Sequence, residues 1–92
     1  MEWTVSLSKK AAKQVDGLPA AVKIILKALL IDIRKRGPVQ GEWRNYSKLT
    51  EVTHHCHLKK GHPTFVAVWQ VTNRTIRIVE VTYVGTHENA PY

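Results

Sequence analysis

The sequence has one cysteine, Cys56, and half as many acidic residues (seven) as basic ones (14). A lone cysteine excludes an internal disulfide and fits a reducing compartment. It also leaves no cysteine pair for a structural zinc site. Long apolar runs are absent. The longest, Ile24 to Ile33, is broken by Lys27 and Asp32, which excludes a membrane-spanning helix; no membrane partner is expected. No basic-then-apolar leader pattern opens the chain, so a cytoplasmic protein is expected. No repeat, low-complexity segment or second domain is visible, and residues 1–92 are read as one domain with one modest core.

What is present is positive charge, +7 overall with a pI near 9.9. Such a balance favours nucleic acid, anionic surfaces or an acidic protein partner. It is unevenly placed: ten of the 14 Lys/Arg lie within residues 1–50, and all five histidines lie after them. The first half therefore supplies a basic face, and the second supplies groups that titrate near neutrality.

Glu2 to Leu7 alternates polar and apolar, as a half-buried strand does, with Trp3, Val5 and Leu7 on one face. Ser8 is placed to cap a short helix, Lys9 to Val15, with Ala12 and Val15 inward. Gly17 is expected to end it in a left-handed conformation. Pro19 opens a second helix, Ala20 to Arg36, whose Val22, Leu26, Leu29 and Ile33 repeat at helical spacing; Gly37-Pro38 stops it. Val39 to Leu49 reads as a structured connector packed by Trp43, ending in a short turn or strand. The pattern then changes to period two. Strands are expected at about Val52–Lys59, Thr64–Val71 and Thr75–Gly85, with hairpin turns at Lys60–Pro63 and Thr72–Arg74. Phe65 to Trp69 is apolar on both faces and suits a central strand. The expected fold is α+β: an N-terminal strand, a two-helix hairpin, then an antiparallel three-stranded meander, with helices on one face. The other face has no helix to cover it and is the natural place for a site.

Strand alternation divides the stretch Thr53-His54-His55-Cys56-His57-Leu58-Lys59. Cys56 and Leu58, with His54, form the core side. His55, His57 and Lys59 stand on the open face, about 7 Å between successive positions. A phosphodiester substrate needs this kind of surface, with cations for phosphate and groups that move protons near neutrality. RNA cleavage by a 2′-hydroxyl requires a base, an acid and positive charge for the transition state. Two histidines on either side of the phosphate suffice for the first two, with Lys59 or Lys60 for the third. His87 and Tyr92 follow the last strand and complete a site if that strand ends beside His57. A three-histidine metal site of His55, His57 and His87 is the rival reading, but no carboxylate pattern supports it. No cofactor or metal is called for.

With these residues in view, the chain resembles the RelE/ParE toxin superfamily. The resemblance rests on the element order, the basic charge, Cys56-His57-Leu58-Lys59, the strand Phe65 to Val71 and the ending Gly85-Thr86-His87-Glu88. The YafQ-like branch, with a Cys-His-aliphatic-Lys strand and a Gly-Thr-His tail ending in an aromatic, is the nearest. The resemblance implies a metal-independent, ribosome-dependent endoribonuclease that cuts mRNA in the decoding site of the small subunit through the 2′-hydroxyl, and a cognate antitoxin protein. It implies His57 and His87 as the acid/base pair, Tyr92 as the terminal aromatic that stacks or assists proton transfer, and Lys59 on phosphate. His55, Lys60 and His62 are further candidates for RNA contact. Val66 stands where RelE carries an arginine, and the connector lacks the histidine of the YafQ-like branch; His55 or His62 is available to fill a gap. The alternative on the same scaffold is a ParE-like topoisomerase poison, or a module that only binds nucleic acid or protein.

Overall fold

The computed structural model describes residues 2–61 and 63–92. Strand β1 (Thr4–Leu7) leads into helix α1 (Lys9–Asp16) and helix α2 (Ala20–Arg36). Four further elements follow: β2 (Ser47–Lys48), β3 (Thr53–Lys59), β4 (Phe65–Asn73) and β5 (Ile78–Thr86). A single 3-10 turn, His87–Asn89, begins the tail. The five strands form one mixed sheet in the order β1-β5-β4-β3-β2. β1 runs parallel to β5, and the pairs β2–β3, β3–β4 and β4–β5 are antiparallel. β4 is thus the centre of the sheet, as its two apolar faces require.

Local chemistry explains the helix ends. The Ser8 hydroxyl accepts from the Ala11 amide at 3.1 Å and caps α1. Ala11, not Ala12, is the buried alanine of α1. Gly17 is right-handed (φ −90°), which differs from the expected left-handed stop. Its amide instead closes the last turn onto the Gln14 carbonyl at 3.1 Å. Pro19 is the residue before α2 rather than its first helical position. At the far end of α2, Gly37 takes φ +94°, and a Cβ there would lie 2.9 Å from Trp3 Nε1. Only glycine fits that conformation and that approach.

Val22, Leu26, Leu29 and Ile33 are fully or almost fully buried against the sheet, matching the helical stripe. Each such side chain contributes about 1.5–3 kcal/mol when withdrawn from water. Opposite them stand Cys56, Leu58, Ala67, Trp69, Val79 and Val81. Trp69 is the largest buried side chain, and its Nε1–H donates to the Pro38 carbonyl at 2.9 Å. Leu7 remains 38% exposed, so the inward face of β1 is carried by Trp3 and Val5.

Several strand ends differ from the sequence reading: β3 starts at Thr53 rather than Val52, and β4 spans Phe65–Asn73 rather than Thr64–Val71. β5 begins at Ile78 rather than Thr75, because Asn73 Oδ1 accepts from the Ile76 amide at 3.0 Å and residues 74–77 make the turn. Arg77 adopts φ +55° within it. The second face of the sheet is not bare either. Val66, Val68 and Tyr83 are buried there beneath Leu49 and Ala90, so the connector and the tail cover what no helix covers.

Candidate active site

β3 carries the site because its two faces meet different surroundings. His54 is 1% exposed and sits in the helix-side layer. Its Nδ1 lies 2.7 Å from the Tyr46 hydroxyl, and its ring forms a triangle with those of Tyr46 (5.9 Å) and Trp69 (6.1 Å), which lie 6.2 Å from each other. Burial, with the charges of Lys48 and Arg74, lowers its pKa, so His54 is a neutral core histidine. Cys56 is fully buried, and burial pushes its thiol up to about 12. A thiol held protonated in this way is neither nucleophile nor metal ligand.

His55 and His57 point the other way, with ring centres 6.0 Å apart. His55 does not stand open to solvent, as the alternation alone suggested. It is 8% exposed, with Nδ1 3.0 Å from the Ser47 hydroxyl and Tyr92 4.6 Å from its ring. His57 is half-buried. Its amide donates to the Arg44 carbonyl at 2.8 Å, which ties the connector to β3. The β3–β4 register slips between His57 and Lys59, so Lys59 pairs with Phe65, a residue of the helix-side core. The bulge ends the alternation, and Lys59 does not share the His55/His57 face by simple period two. Lys59, the last residue of β3, and Lys60, which follows it, are exposed. His62 lies outside the described residues.

The tail brings the second half. The Tyr83 hydroxyl passes over Gly85 to donate to the Thr86 carbonyl at 2.7 Å. A Cβ on Gly85 would sit 2.7 Å from that hydroxyl, which gives Gly85 a steric reason. The His87 amide then donates to the Thr64 carbonyl at 2.8 Å, fixing the start of the tail against the β3–β4 turn. In consequence the His87 ring lies 5.4 Å from that of His57, edge to face at 71°. Tyr92 lies 6.0 Å from His87 and closes the group over His55. His57, His87, His55 and Tyr92 thus form one contiguous set of rings.

The electrostatics follow from this crowding. The His57 pKa is lowered by burial first, then by the positive forms of His87 and His55 and by Arg44. That of His55 is lowered by burial, with hydrogen bonding at Ser47 acting against it. Tyr92 is raised, chiefly by burial, so its phenol stays protonated at neutral pH. Among the described residues no group of three or more His, Cys, Asp or Glu has the convergence a metal ion needs.

Sequence reasoning did not assign the neighbouring cleft. A cavity of about 460 Å³ opens beside His57, lined by Asp32, Arg36, Glu42, Trp43 and Arg44. The pair Trp43-Arg44 inside a connector was the available signal.

The fold, though not the site's side chains, is matched by solved structures. A doubly substituted variant of the E. coli toxin RelE in the free state matches 98% of this chain and 88% of its own, with a TM-score of 0.76 at 20% identity. The fold is that of the RelE toxins. The isolated E. coli RelE toxin in another crystal form matches with a TM-score of 0.71 at 19% identity, covering 97% of this chain and 88% of its own. The archaeal RelE of a RelE–RelB complex from Pyrococcus horikoshii matches with a TM-score of 0.70 at 13% identity, over 98% of this chain and 100% of the other. No protein-family model and no curated protein sequence matches the chain. The RelE-like scaffold is therefore carried here by a sequence that shares about one residue in five or fewer with the solved toxins.

Proposed function

We propose that this RelE-like protein is the toxin of a toxin–antitoxin pair, a cytoplasmic endoribonuclease that cleaves mRNA on the ribosome without a metal. The observation that carries the proposal is the 5.4 Å approach of His57 and His87. Two imidazoles at that spacing can flank one phosphodiester. His57, with its lowered pKa, is neutral at pH 7 and takes the 2′-hydroxyl proton. The 2′-oxygen then attacks phosphorus, the bond to the 5′-oxygen breaks, and His87 supplies the proton to that leaving oxygen. The products are a 2′,3′-cyclic phosphate and a 5′-hydroxyl. Arg44 lies near enough for its charge to lower the His57 pKa and provides positive charge for the transition state, while Lys59 and Lys60, exposed at the end of β3, meet flanking phosphates rather than the scissile one. His55 acts through its contact with Tyr92 more than by reaching solvent. Tyr92 packs the site and offers an aromatic edge to an unpaired base.

The net charge of +7 suits both an RNA substrate and an acidic antitoxin. The archaeal RelE relative was solved with RelB, which supports a protein partner of that kind. The test is a translating extract with primer-extension mapping. Codon-phased cuts that disappear in His57→Ala and His87→Ala are expected. Intact mRNA together with inhibited gyrase would overturn the proposal in favour of a ParE-like poison.

A further inference from the structure

His57 and Leu58 form one side of the cleft, and the acid/base pair uses none of the rest of its lining. Its volume of about 460 Å³ is that of a small-ligand site. Trp43 is held in its wall, since its Nε1–H donates to Asp32 Oδ2 at 2.9 Å. The same oxygen takes Arg36 Nη2 at 3.1 Å, so Asp32 is committed to the protein. Glu42 is different. Its side chain is 88% exposed, and its one ion pair among the described residues, with Arg36, is 3.7 Å long. Its oxygens therefore keep lone pairs for a ligand. A fixed, half-buried indole is a stacking surface for an unpaired base. A carboxylate at the edge of a site for a polyanion opposes phosphate, but it accepts hydrogen bonds from a base's amino group.

We infer that this cleft is a nucleobase subsite, in which Trp43 stacks the base next to the scissile phosphate and Glu42 accepts from that base's exocyclic amino group. The inference rests on the RNA-cleaving reading for the position of the base, although binding does not require the chemistry. Cytosine and uracil make the cleanest comparison. They have the same size, and one presents an amino group where the other presents a carbonyl oxygen.

The test uses trinucleotides carrying cytosine or uracil beside a 2′-O-methylated attacking position, which cannot be cut, and follows tryptophan fluorescence. The cytosine ligand binds about three- to tenfold more tightly, the range of a hydrogen bond to a partly solvated carboxylate. Glu42→Gln brings that ratio close to one while strengthening both ligands, because a negative charge is lost. Trp43→Phe abolishes the fluorescence change. Equal affinities in the parent protein, a ratio that survives Glu42→Gln, quenching that persists in Trp43→Phe, or no binding at millimolar ligand would each overturn the inference. Primer extension separates the two readings. Cleavage whose base preference is unchanged by Glu42→Gln removes the subsite and leaves the nuclease. A cytosine preference in binding with no cleavage in a translating extract removes the nuclease and leaves the subsite.

Discussion

The rings of His57 and His87 lie 5.4 Å apart although one belongs to a strand and the other to the tail. The Thr64 carbonyl, which accepts the His87 amide, holds them there. Replacing either ring by alanine is expected to lower single-turnover cleavage about 10²- to 10⁴-fold. The double variant falls little further, since the two act on one proton-transfer sequence. His87 is exposed, so the His87→Ala melting curve stays close to that of the parent.

Tyr92 tests packing against proton transfer. A tyrosine phenol is protonated at neutral pH, and partial burial raises that of Tyr92 further, which makes it a poor base. Tyr92→Phe keeps the ring over His55 and is expected to retain cleavage within about threefold, while Tyr92→Ala loses at least tenfold. Equal losses in the two variants would assign the hydroxyl a direct role.

The pH profile follows from His57. Its pKa lies below the ordinary 6.5, so the neutral form needed of a base persists to more acid pH than in a free histidine. The acid limb of kcat/KM is expected below pH 6.5, with activity falling as pH drops through it. Arg44→Gln removes one of the lesser causes of the shift and moves that limb to higher pH.

Stability should share the acid sensitivity. His54, His55 and His57 are all lowered in the folded state, so between their folded pKa values and 6.5 the unfolded chain binds more protons. Stability from these groups is complete above about pH 6.5 and is lost as pH falls through the folded values. His54 contributes from the core, where its Nε2 has no partner among the described residues. Melting temperatures of His54→Phe measured from pH 7.5 to 4.5 are expected to fall less steeply than those of the parent.

Gly37 is a backbone requirement. At φ +94°, with Trp3 Nε1 2.9 Å from a built Cβ, alanine meets both strain and contact. Gly37→Ala is expected to cost about 1–3 kcal/mol in urea unfolding with an unchanged m-value. A neutral result would mean that the Trp3 ring and the α2 terminus move apart freely.

Local periodicity determined much of this protein. Helical spacing placed Val22, Leu26, Leu29 and Ile33 in the core, and strand alternation put Cys56 and Leu58 there while turning His55 and His57 away. Both patterns depend only on neighbours a few residues apart, so the sequence contains them in full. Tertiary structure alone decided the rest. The parallel pairing of β1 with β5, the bulge that takes Lys59 off the His57 face, the burial of His55 under Tyr92 and the Trp43 cleft each depend on segments that meet only after the chain has closed. The histidine stretch and the Gly85-Thr86-His87 tail were both visible as halves of a site. What joined them was register: one β4 strand sets the positions of both β3 and β5, and a single residue of slip would turn one half to the opposite face.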